Sequence, residues 1–137
     1  MTEPYNRLAQ PPAPILSIRL RALSSDQSTD PLPALIDTGA DATLIPIDTL
    51  LAIGAEETSP GWLRSFSGER VPVALYFVDV LIGELVLPGI RVAGSARLTE
   101  VLLGRDVLNK LVLVLDGPQA ETSLLSQAEI ARHRARR

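Results

Sequence analysis

The stretch Ala34-Leu35-Ile36-Asp37-Thr38-Gly39-Ala40-Asp41-Ala42-Thr43 constrains what this chain can fold into more than any other. An apolar run delivers one carboxylate, Asp37, into a tight Thr-Gly turn, and a second apolar pair, Leu44-Ile45, leads away. Such flanks predict that the turn is not a solvated surface loop. A carboxylate held partly out of water is easier to protonate, so two such groups can share a proton. Glycine lets the backbone bend, or approach another chain closely, where a side chain would obstruct it.

The remaining pattern is that of many short strands. Ile15 to Leu23 alternates, with Ile18, Leu20 and Ala22 on one face and Ser17, Arg19 and Arg21 on the other, as in a half-buried strand. A polar turn over residues 24–31 returns the chain as a strand, Leu32 to Ile36, that ends at Asp37. Ile47 to Ile53 reads as one short helical turn stopped by Gly54. Trp62 to Phe66 and Val71 to Val80 flank Ser67-Gly68-Glu69-Arg70 as a hairpin with glycine near its tip. Glu84 to Val92 reads as a strand broken by Pro88-Gly89, Arg105 to Lys110 as a short helix, and Leu111 to Leu115 as a strand. After the turn Asp116-Gly117-Pro118, Glu121 to Leu125 pairs back. Ser126-Gln127-Ala128-Glu129 matches a capping box, which makes the tail from Ala128 a frayed helix. The expected fold is all-β: a small closed barrel with one short helix near the C-terminus.

Two blocks carry a family resemblance. Leu35-Ile36-Asp37-Thr38-Gly39-Ala40-Asp41-Ala42-Thr43 resembles the catalytic signature of retropepsin-like aspartic proteases, the single-domain relatives of the pepsins. Val101-Leu102-Leu103-Gly104-Arg105-Asp106-Val107-Leu108 is similar to that family's hydrophobic-Gly segment running into its Gly-Arg-Asp/Asn helix. They stand in the family's order, and the resemblance spans roughly residues 12–125. It implies domain bounds of 14–125, preceded by an extended arm or pro-segment (1–13) and followed by a basic tail (126–137). It also implies a peptide-bond hydrolase, an aspartic endopeptidase acting on extended peptide or protein substrates, without cofactor or metal.

In that family Asp37 is the catalytic position. Thr38 would bond across a two-fold axis to the partner's backbone, and Gly39 would leave its carbonyl for substrate main chain. Ala40 stands where bilobed pepsins carry a serine whose hydroxyl stabilises the ionised pair. Without that donor the ionised pair is less favoured, which predicts a mildly acidic optimum. Asp41 has two readings: a ligand for substrate backbone, or an ion pair with Arg105 that holds the turn against the helix. The ion pair is the favoured main role; if buried, breaking it would cost about 3–5 kcal/mol. Ser67 and Gly68 mark the candidate flap, although any exposed hairpin wants glycine there. Leu44, Leu102 and Leu103 resemble subsite walls, and two of the three would serve equally as core. Trp62 and Phe66 are candidate pocket or flap-packing groups, but aromatic strand residues more often belong to the core.

Length decides how such a site could be assembled. The chain has 137 residues, one Asp-Thr-Gly and no internal repeat, so it supplies one of the two facing carboxylates. A homodimer on a two-fold axis would supply the other. The alternative is a weak or inactive member of the fold kept for dimerisation or peptide binding. With no cysteine there is no disulfide framework or thiolate chemistry. The single histidine, His133, lies in the basic tail, which argues against a Ser-His-Asp triad or a zinc site. A net charge of -3 gives no reason to expect nucleic acid. No run reaches the length of a membrane span, and the N-terminus lacks a signal-peptide pattern. The expected location is cytoplasmic, and the Arg, Ala, Leu and Pro richness suggests a bacterial source.

Overall fold

The computed structural model describes residues 1–64 and 67–137. A first strand, β1 (Thr2–Pro4), precedes a proline-containing segment. Next comes β2 (Ile15–Ala22), where Leu16, Ile18, Leu20 and Ala22 are buried while Arg19 faces water, the alternation its sequence predicts. The chain returns as β3 (Leu32–Ile36), turns at Asp37, and continues as β4 (Leu44–Pro46) into α1 (Ile47–Ala52). Gly54 closes that helix with a φ of 67°, a left-handed conformation that glycine adopts without steric cost. A short β5 (Glu56–Glu57) leads to the hairpin β6 (Gly61–Arg64) and β7 (Arg70–Val73). The long strands β8 (Leu75–Ile82) and β9 (Leu85–Ser95) follow, then β10 (Val101–Leu103) and α2 (Arg105–Leu108). A second hairpin, β11 (Leu113–Asp116) and β12 (Glu121–Leu124), precedes α3 (Gln127–Ala135).

Among the described residues, β2, β3, β10, β4, β9 and β8 pair in that order, and β8 pairs back onto β2. The result is a closed barrel of six strands with no free edge of its own. β5 continues along β8 where β2 leaves off. Apolar side chains from all six strands fill the interior, among them Leu16, Ala34, Ile45, Val80, Val92 and Leu103, all fully buried. The expected all-β closed barrel with a short helix after its last strand is therefore the observed fold.

The ends of the chain form a separate sheet. β12 lies between β1 and β11, so residues near the two termini pair within one protomer. α3 starts with a complete capping box: the Glu129 N–H donates to Ser126 Oγ, and the Ser126 N–H donates to Glu129 Oε1. No helix among the described residues is long and apolar enough to cross a membrane.

Three local expectations need correction. Val71 to Val80 is two strands, not one. The chain breaks at Ala74, whose carbonyl accepts from the Gly94 N–H, and the β6–β7 pair becomes a two-stranded sheet of its own. Conversely, Pro88-Gly89 does not interrupt β9. Its two residues bulge opposite the single Asp79 of β8, and Asp79 Oδ1 accepts from the Gly89 N–H. The other oxygen of Asp79 takes two bonds from the Arg21 guanidinium, so the nearly buried carboxylate is satisfied. Finally, Trp62 is 59% exposed and belongs to no core. Phe66, its companion in the expected strand, lies outside the described residues.

Candidate active site

Asp37 owes its position to an unusual neighbour. β10 inserts between the two strands that flank the Asp37 loop, parallel to β3 and antiparallel to β4. Its end therefore lies against the loop, and the Asp37 N–H donates to the Leu103 carbonyl at 3.0 Å. The carboxylate is held from the other side, since the Gly39 N–H donates to Asp37 Oδ1 at 2.9 Å. The Ala40 N–H donates to the Asp37 carbonyl, which closes the turn.

Arg105, the first residue of α2, fixes the rest of the loop. Its backbone N–H donates to the Ala40 carbonyl at 2.9 Å, and Nη1 donates to the Thr38 carbonyl at 2.7 Å. Nη2 pairs with Asp41. The Asp41 side chain is 72% exposed, so the pair sits at the surface and not in the interior. The larger cost reasoned for a buried pair does not apply; an exposed pair is worth about 0–1 kcal/mol.

Gly104 is required for this approach. A Cβ there would stand 2.5 Å from the carbonyl carbon of Ala42, inside any real contact. Beneath the loop runs a clamp whose members carried no role in the sequence reading. Thr43 is fully buried and donates through Oγ1 to Asp106 Oδ1, while its N–H donates to Asp106 Oδ2. The same hydroxyl oxygen accepts from the Gly104 N–H. Asp106 Oδ1 also accepts from the Val107 N–H, so this carboxylate ties the start of β4 to the start of α2. A polar residue just before an apolar strand (Thr43 before Leu44-Ile45), with an acid just after Gly-Arg, was the available signal.

The structure thus brings Asp37, Thr38, Gly39, Ala40, Asp41 and Arg105 into one hydrogen-bonded unit. Leu44 and Leu102 are register partners beside it and half-buried, whereas Leu103 is fully buried in the core and is not a wall of any cleft. Ser67 and Gly68 belong to the separate β6–β7 hairpin, where Gly68 takes a φ of 86°. The turn itself is less sheltered than its apolar flanks predict. Thr38 and Gly39 are exposed and Asp37 is half-buried, because the apolar runs bury the strands and not the loop. A groove of about 630 Å³ lies elsewhere, lined by Met1, Leu85, Leu111, Leu124 and Ile130, and no Asp37-loop residue borders it. Among the described residues, no group of three or more His, Cys, Asp or Glu is placed to hold a metal ion.

A six-strand barrel presenting one Asp-Thr-Gly loop, stapled by a Gly-Arg-Asp helix start, defines a single-domain acid-protease fold. Residues 27–110 match the family described as "gag-polyprotein putative aspartyl protease", and the chain belongs to that retropepsin-like family. Two solved structures share the fold. The EIAV protease bound to the inhibitor HBY-793 is 19% identical, with a TM-score of 0.56 over 72% of this chain and 86% of that one. A retropepsin-like aspartic protease from Rickettsia conorii is 16% identical, with a TM-score of 0.57 over 92% of each chain. No curated protein sequence matches.

Proposed function

We propose that the chain is an aspartic endopeptidase, active as a homodimer in which Asp37 of each protomer supplies half of a carboxylate dyad. The observation that carries this reading is the stapled loop. It holds Asp37 half-buried just after β3, with one carboxylate oxygen bound to the Gly39 N–H. Two like carboxylates at close range do not both ionise cheaply, so the pair retains one proton. The ionised member takes a proton from an intervening water as that water attacks the scissile carbonyl. The protonated member gives its proton to the carbonyl oxygen, which yields a neutral gem-diol. Collapse then returns a proton to the leaving amine. In this scheme Thr38 locks the two loops together and the Gly39 carbonyl receives substrate N–H groups. Asp41 would reach substrate backbone while paired to Arg105. Leu44 and Leu102 give apolar subsites, and Ser67 and Gly68 sit on the closing flap.

The terminal sheet offers a seam for the second copy. Leu124 exchanges both backbone bonds with Met1, and the Leu125 N–H donates to the Val112 carbonyl. By strand alternation, the main-chain groups of Leu113 and Leu115 then point away from β12 along an unpaired edge. Val114 and Leu115 on this edge are 46% and 47% exposed. Two-fold antiparallel pairing of β11 with its copy would set Leu113 against the partner's Leu115 and centre the axis on Val114. Unpaired apolar edges invite such pairing.

The test is a peptide-library digest by wild type and Asp37→Asn, with molar mass measured on both. Loss of at least about a thousandfold in cleavage, with the dimer intact, is expected for removal of an acid–base group. A correctly assembled wild-type dimer that cuts nothing would replace this reading with a peptide-binding module. Because the chain has no cysteine, Val114→Cys tests the seam cleanly. A non-hydrogen-bonded pair on the axis falls within disulfide range, so mild oxidation should yield a covalent dimer.

A further inference from the structure

We propose that the outward face of the β6–β7 hairpin is a docking site for an acidic peptide segment, separate from the cleft. Strand alternation sorts the hairpin into two faces. Gly61, Leu63 and Val73 are half-buried, and Gly61 lies so close to the barrel that a Cβ would meet Leu75 Cδ1 at 2.5 Å. The opposite face carries Trp62 and Arg64 on β6, with Pro72 and Arg70 directly across on β7. All four are exposed.

Two features of this face point to an anion. Arg64 stands directly opposite Arg70, an arrangement of like charges that weakens a sheet unless something neutralises it. Neither guanidinium has a carboxylate partner among the described residues, where the ion pairs are Arg21–Asp79 and Arg105–Asp41. Arg70 is also positioned, its guanidinium carbon lying 5.3 Å from the centroid of the Trp62 ring. A carboxylate placed between the two arginines turns the repulsion into charge-assisted hydrogen bonds of matching fork geometry. Beside it, the exposed Trp62 and Pro72, register partners, offer apolar surface for the next residues of an extended chain.

The occupant is a peptide and not a nucleic acid. Phosphate backbones are bound by broad basic surfaces. Here the face offers only two cations, enough to fork one carboxylate and too few to track a run of phosphates. Binding needs no turnover, so the site stands or falls independently of the proposed chemistry.

Trp62 is the single tryptophan of the chain and reports directly on the site. The experiment uses full-length Asp37→Asn protein, a labelled capped hexaglutamate peptide, its glutamine counterpart and an oligothymidylate. Peptide anisotropy and Trp62 emission are read together at rising salt. Hexaglutamate should bind, perturb Trp62, weaken with salt, and lose about tenfold or more in affinity in Arg64→Gln/Arg70→Gln. A thermal melt of the double variant establishes that the barrel is intact. Equal binding of the glutamine peptide, no binding of hexaglutamate, or unchanged affinity in the double variant would overturn the proposal. Preference for oligothymidylate would replace it with a nucleic-acid site.

Discussion

The Asp37 loop and the β6–β7 hairpin are both short connections with a glycine near the tip, and the fold treats them differently. The loop is tied from beneath by Thr43 and Asp106, from the side by Arg105, and along its edge by β10. Among the described residues the hairpin shares no ladder with the barrel, and its strands are four residues each. Two-stranded sheets of that size are marginal on their own. Under the proposed function this contrast is useful: the reacting carboxylate needs a fixed position, while a lid needs to open and close. Amide hydrogen exchange should separate the two, with residues 70–73 exchanging faster than residues 101–108.

One substitution made in both regions puts the contrast to its hardest test. Gly104→Ala drives a methyl into the Ala42 backbone at 2.5 Å, and backbone cannot rotate aside. It should cost about 3 kcal/mol in chemical denaturation, the upper end of overpacking penalties. Gly61→Ala meets the end of the Leu75 side chain at the same distance. Leu75 has other rotamers, so the loss should be about 1 kcal/mol. Equal losses would mean that the hairpin is as rigidly seated as the loop. Next in size, Thr43→Val keeps shape but strands the buried Gly104 N–H and removes a donor from Asp106. A loss of about 2–3 kcal/mol is expected, accompanied by faster exchange at the Asp37 turn. Unchanged exchange there would show that the clamp does not hold the loop.

What could be read from the sequence followed the range of the interactions. The alternation of β2 and the capping box of α3 depend on residues a few positions apart, and both were legible. The Asp37 block was legible because its chemistry is local and its second half, Gly104-Arg105-Asp106, carries its own pattern. The Thr43–Asp106 clamp joins residues 63 apart, and no periodicity announces such a pair. Pro88-Gly89 reads as a stop, yet β9 runs through it because Asp79, on the facing strand, accepts the Gly89 N–H. Trp62 failed the usual rule for strand aromatics because, among the described residues, its strand pairs only with β7 and the ring stays exposed. The turn around Asp37 was expected to be sheltered, but its apolar flanks only shelter the strands; a second chain would have to cover the loop.

The two smallest effects concern exposed charges, where solvent leaves little to gain. Asp41→Ala removes the surface partner of Arg105, while the bonds from Arg105 to the Thr38 and Ala40 carbonyls remain. Stability should change by less than about 1 kcal/mol. If cleavage falls far more than stability, Asp41 acts on substrate and not as a strut. At α3, the Ser126 backbone N–H, then its hydroxyl, hold the Glu129 carboxyl below its ordinary value of 4.5. A carboxyl lowered by folding stabilises its cap fully above that ordinary value and loses the contribution as pH falls through the lower folded one. The Ser126 amide signal should therefore shift as the cap opens only below about pH 4.5, the ordinary value, with the barrel signals unmoved. Glu129→Gln keeps a group able to accept the same bond but cannot titrate, so its cap should persist through acid. An identical acid transition in that variant would place its origin outside the cap.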